Sequence, residues 1–384
     1  MLFTERGLVI VAAVLCVVQT GSIAAGREET HERMKQISQA MEQLLPLAVQ
    51  EDGLGDAVRR PMISGSLELL VENADLLDAH AAGAPLGFKY HSASLARYAK
   101  WTHRYYDLGN YASAALSFQR ITDLCVACHS RLPGVDDSAL ASGLAAASEF
   151  ATLPLEKRAA LLVATRQFDD ALTSYEGLLA DSSTHPARLL GRTLADYLVV
   201  CIRVKGDFKR PVPVLEAIAS RNDVEQELRT DVEYWIRALR RLDQSAQRTP
   251  DLSRARELLQ PTRPDKNIWS YRRGLISDIV ASSMLHRFLE AHYQDQDQQD
   301  EVAEAYYLLG VAETRGGRGV WVSPADLYLE TAIRLAPHAP FATSAYELLE
   351  HETILGYSGS SGLHLPEDVA TQLKELRRMV EEPQ

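Results

Sequence analysis

Residues Tyr111–His129, YASAALSFQRITDLCVACH, decide how this chain is read. The Gly109-Asn110 pair before them supplies a turn, and the run itself predicts a helix from Tyr111 to His129 with Cys125, Cys128 and His129 near its end. Two thiols separated by two residues, with a histidine directly after the second, form the spacing of covalent haem attachment. Positions three apart share one helix face, so both sulfurs reach a porphyrin edge and each adds to a vinyl group, while the His129 imidazole turns toward the iron. A zinc site would use the same cysteines but needs further ligands, and the sequence holds no second Cys-x-x-Cys or paired-histidine motif. A thioredoxin-like redox pair belongs after a strand in an α/β fold, and no stretch here alternates at period two.

Working upstream, three more helices are expected. The first runs from about Glu28 to Leu47, with Met34, Ile37, Met41, Leu44 and Leu45 on one face; Pro46, Gly53 and Gly55 close it. The second follows Pro61 and carries Leu67, Leu70, Val71, Ala74, Leu76 and Leu77 toward His80, with Gly83, Pro85 and Gly87 ending it. The third is expected from about Ser92 to Leu108. Four amphipathic helices joined by short or moderate connections predict an antiparallel bundle over residues 26–133. A haem motif late in the fourth helix of such a bundle, with Arg131 just beyond it, resembles the cytochrome c-prime class. The resemblance covers roughly Arg27 to Pro133 and implies that Cys125 and Cys128 form thioethers and that His129 is the proximal iron ligand.

In an up-down-up-down bundle the first helix lies antiparallel to the fourth, which sets its opening turns, and Met34, beside the motif. Low-spin members of the class take a distal methionine from their first helix and carry a second one seven residues on, here Met41. Ligation by Met34 would raise the potential and suit electron transfer. The alternatives are that both methionines only fill the core, or that the distal side is open and binds nitric oxide or carbon monoxide. His91 and His103 are further candidate ligands, in a helix crowded with Tyr90, Trp101, Tyr105 and Tyr106.

Downstream, residues 134–150 turn small and polar and read as a linker. Gln167-Phe168-Asp169-Asp170-Ala171-Leu172 and Gly206-Asp207-Phe208 then place Phe168 and Phe208 forty residues apart, a spacing within the range of paired-helix repeats. With Tyr306, Leu309, Gly310, Ala325, Leu329, Ala332 and Pro337 the pattern resembles the tetratricopeptide family over roughly residues 155 to 355. It departs from that family at Pro211, where alanine is usual, and at Gly316–Val322, which looks inserted. The expected fold is therefore all-α: a four-helix haem bundle, then a tetratricopeptide-like domain at 151–357, then a C-terminal tail with a short helix at 358–384.

The start of the chain reads as a cleaved export signal over residues 1–25: Arg6, an apolar run from Leu8 to Val18, then Gly21, Ser22, Ala24 and Ala25. That run is too short to span a membrane comfortably, so no stable insertion is expected after cleavage, and the destination is the periplasm. Cys16 leaves with the signal. Of the four cysteines, Cys201 remains as an isolated thiol in the apolar run Tyr197–Ile202, where it reads as core. A net charge of −12 without a Lys/Arg cluster argues against a nucleic-acid binder. The acidic pairs Asp136/Asp137 and Asp169/Asp170 read as turn residues, the Arg237–Arg241 stretch as an exposed helix face, and Gly316-Gly317-Arg318-Gly319 lacks the Lys-Ser/Thr of a phosphate cradle. No side-chain constellation of a hydrolase or transferase is present, so the chain is not expected to be an enzyme. The functional expectation is a monohaem c-type cytochrome that carries one covalent haem c and exchanges electrons with a redox partner docked on its helical repeats; the alternative is a gas-binding or sensing haem protein.

Overall fold

The computed structural model describes residues 28–48, 53–134, 148–183, 192–242, 251–259, 273–315, 324–360 and 362–382. The expected export signal, most of the linker and the Gly316–Val322 insertion lie outside the described residues. The fold is all-α: the only strands among the described residues are a two-residue pair, β1 (Ser358–Gly359) and β2 (Gly362–Leu363). No described helix is long and apolar enough to cross a membrane. The chain divides into two compact units, one of residues 1–84, 88–121 and 142–151, the other of residues 85–87, 122–141 and 152–384.

In the first unit, helix α1 (residues 28–48) buries Ile37, Ala40, Met41, Leu44, Leu45 and Leu47 on one stripe. Helix α2 (Arg60–His80) begins with proline in its first turn, where the missing N–H costs nothing, and buries Ile63, Leu67, Leu70, Ala74 and Leu77. Polar contacts set the pairing of these helices. Ser66 Oγ donates to Gln43 Oε1 at 2.6 Å, and Ser92 Oγ of helix α3 (Leu86–Asp107) donates to Asp78 Oδ1 at 3.0 Å. The turn into helix α4 (Tyr111–His129) follows the predicted chemistry. Gly109 takes a left-handed φ of 70°, the Asn110 N–H reaches the Tyr105 carbonyl at 2.9 Å, and Asn110 Oδ1 caps the new helix by accepting from the Ser113 N–H at 3.1 Å.

The start of α3 differs from expectation. The helix opens at Leu86, not Ser92, and carries Gly87 inside its first turn. Gly87 has a long-range reason to be glycine: a Cβ there would stand 2.6 Å from Tyr328 Oη and 3.4 Å from Arg131 Nη1. It is a site of close approach rather than a breaker.

The second unit holds the last turn of α4 and helix α5 ends at its border (Ser148–Thr152). Helices α6 (Leu155–Ala164) and α7 (Phe168–Ala180) pair through a tight turn in which Arg166 adopts a left-handed φ of 60°. Helix α8 (Arg192–Val199) runs into a wide π-turn, Val200–Lys205, closed by left-handed Gly206, whose successor Asp207 donates its N–H to the Cys201 carbonyl at 2.8 Å. Asp207 then accepts from the Lys209 and Arg210 N–H groups at the approach to α9 (Pro211–Ser220). Helices α10 (Gln226–Arg241), α11 (Leu252–Leu259), α12 (Leu275–His292), α13 (Gln299–Arg315), α14 (Ala325–Leu335) and α15 (Ala342–Tyr357) follow. The expected tail is part of the core: α16 (Glu367–Glu381) is fifteen residues long and buries Leu373 and Leu376 against Leu329, Ile333, Tyr346 and Leu349.

Candidate functional site

The Cys-x-x-Cys-His motif occupies the final turn of α4, and its spacing of three and four residues lines Cys125, Cys128 and His129 along one side of that turn. Val126 and Leu124, on other faces, are buried and anchor it. The turn ends with the Ser130 N–H on the Val126 carbonyl at 2.9 Å and the Arg131 N–H on the Cys128 carbonyl at 3.2 Å. Cys125, Cys128 and His129 are each half-buried, and both cysteines are free thiols.

The atoms packed around the sulfurs desolvate a thiolate. Burial, reinforced by the neighbouring Cys128, pushes the Cys125 thiol up to about 12. Burial also raises Cys128, with Glu290 adding to the shift and Arg131 and Arg166 opposing it. Both thiols therefore hold their protons at neutral pH. That is the reverse of a dithiol redox centre, which depends on a depressed cysteine pKa. Among the described residues no group of three or more His, Cys, Asp or Glu side chains is arranged to hold a metal ion. Two protonated thiols one turn apart, with an imidazole adjoining the second, do match the donor set of a covalent haem, whose thioethers form by adding S–H across vinyl groups.

Behind the motif lies a buried polar cluster of which the sequence singles out only Arg131 and Tyr306. Arg131 is 9% exposed, its Nη1 standing 3.7 Å from Glu290 Oε2. Tyr328, which faces Gly87 together with Arg131, stacks on Tyr306 at 6.0 Å and meets His286 edge-on at 6.2 Å. His286 Nε2 is 3.6 Å from Glu313 Oε1, and the same oxygen accepts from Ser282 Oγ at 2.7 Å and from Arg203 Nη2 at 3.2 Å. Burial drives His286 down to about 3; Glu313 opposes the shift and the Arg203 charge deepens it. On the same helix, burial lifts the Asp278 carboxyl to about 7 despite Arg315 at 3.9 Å. Asp278 and Arg203 line a void of about 10 Å³, the size of one water. No local signal marks these residues: Arg203 lies among Ile202 and Val204, and Glu313 is 110 positions away.

The other residues singled out from sequence fall as follows. Met34 sits on α1, half-buried, and Met41 is 6% exposed in the core of the first unit. His91 is buried edge-on to Tyr90 at 5.5 Å, and His103 pairs with Asp107 at 3.6 Å. Cys201 is fully buried in the π-turn, its thiol raised by burial, in keeping with core packing. Asp169 does more than turn the chain, since its Oδ1 pairs with Lys205 Nζ at 2.9 Å. No family model, no curated protein and no solved structure matches the chain.

Proposed function

We propose that the protein is an exported monohaem c-type cytochrome that carries electrons in the periplasm. The observation that carries the reading is the final turn of α4, where two free, protonated thiols and an imidazole follow one another at spacings of three and four. Haem c, when bound, supplies a one-electron iron couple. Cys125 and Cys128 would tether it, and His129 would ligate its iron. Met34 is the candidate distal ligand. Arg131, paired with Glu290 at 3.7 Å, closes the buried side of the turn that carries the motif. The all-α chain is read as a cytochrome c-prime-like four-helix bundle at 26–133 and tetratricopeptide-like repeats at 151–357, the repeats being the surface on which a redox partner docks. No substrate chemistry is assigned to side chains.

Expression with a c-type maturation system tests this. The purified, denatured chain is expected to give a c-type pyridine haemochrome at one haem per chain, and Cys125→Ala/Cys128→Ala is expected to leave none covalently attached. A wild-type chain without covalent haem would overturn the assignment.

A further inference from the structure

Helix α3 carries a face that its own unit leaves exposed. Arg97, Trp101, Arg104, Tyr105 and Leu108 follow at spacings of four, three, one and three, which puts them on one side of the helix, while Leu95, Ala99, Thr102 and Tyr106 are buried on the other. Trp101 is 44% exposed, Tyr105 36% and Leu108 70%, so a continuous apolar and aromatic ridge faces water. Arg97 lies 5.8 Å over the Trp101 ring, and Tyr98 meets that ring edge-on at 5.2 Å, so the indole is held against the helix surface.

The charges on this helix run against the net charge of the chain. The helix holds Lys89, Arg97, Lys100 and Arg104 against the single acid Asp107, in a chain of net charge −12. Lys100 is engaged with Asp75 at 2.7 Å, whereas neither Arg97 nor Arg104 has a carboxylate partner among the described residues. We propose that this face of α3 docks the protein onto an anionic lipid surface.

The chemistry selects that occupant. Indole and phenol rings settle at headgroup depth with their polar edge toward water, guanidinium groups pair with lipid phosphates, and Leu108 enters the acyl boundary. A convex ridge on one helix matches a planar charged sheet, whereas a peptide or a folded partner is held by a groove or a keyed pocket. The acidic remainder of the chain is repelled by the same surface, which restricts contact to the α3 side.

Co-sedimentation of the full chain with vesicles decides it. Binding is expected on phosphatidylglycerol-containing vesicles, not on phosphatidylcholine alone, and it should weaken as salt is raised. Arg97→Gln/Arg104→Gln is expected to lower partitioning about twenty-five-fold, at about fivefold per charge. Trp101→Ala/Tyr105→Ala should lower it on its own, and both pairs lie on the surface, so circular dichroism should be unchanged. Failure of the wild type to sediment, or equal sedimentation of both variants, overturns the proposal. So does a lipid-free dimer that the same substitutions dissociate, because the face would then belong to a second copy. None of these outcomes depends on haem.

Discussion

Arg203 is 1% exposed in the π-turn after α8, and a guanidinium so far from water survives only because every arm of its partnership is also buried. Glu313 supplies the countercharge and Ser282 a bridging hydroxyl at 2.8 Å, so the pair exchanges hydration for charge-assisted hydrogen bonds. Removing one partner strands the other. Arg203→Ala is expected to cost about 3–5 kcal/mol in urea denaturation, because the Glu313 carboxylate is left buried beside a neutral His286. Arg203→Met/Glu313→Leu, which removes both charges and keeps apolar volume, should cost far less. A single variant within about 1 kcal/mol of wild type would show that water reaches the pair.

At the scale of one helix, α12 carries two groups whose titrations oppose each other. Asp278 has its folded pKa raised to about 7, so its contribution to stability is full below the unfolded value near 3.8 and is lost as pH rises toward 7. His286 has its folded pKa lowered to about 3, so its contribution is full above the unfolded value near 6.5 and is lost as pH falls toward 3. Between about pH 4 and 6.5 the two slopes therefore cancel in large part. Asp278→Asn should expose the histidine, giving stability that climbs with pH across that window. His286→Gln should expose the aspartate, giving stability that declines with pH. Denaturation midpoints at several pH values check both signs, and parallel profiles for the three proteins would refute the assignment. Elements such as α4 were legible in the sequence because their ends are set locally, by Gly109-Asn110 at one side and the motif at the other. The opening of α3 was not, because Gly87 answers to Tyr328 and Arg131 rather than to its neighbours. The tail helix was undervalued for the same reason, since Leu373 and Leu376 gain their meaning only against α14 and α15.

For the whole chain, the chemistry of the proposed site is legible where it is local and silent where it is not. Cys125, Cys128 and His129 declare themselves within five residues, whereas any second axial ligand must come from elsewhere, and Met34 is 95 positions from His129. The sequence argument for Met34 rests on bundle direction and on the paired Met41, whose burial at 6% in the core leaves Met34 as the more available thioether. Ligation of the proposed haem by the Met34 thioether and the His129 imidazole would give a low-spin form with a raised potential. The reduced wild-type protein is therefore expected to be low-spin and to bind carbon monoxide slowly, because the methionine must leave first. Met34→Ala should turn the reduced form high-spin, speed carbon monoxide binding and lower the potential, while Met41→Leu, a volume-conserving core change, should leave all three as they were. An unaltered spectrum in Met34→Ala removes Met34 as a ligand. If the wild type itself is high-spin and binds the gas rapidly, the distal side is open and the protein is a gas-binding haem protein instead.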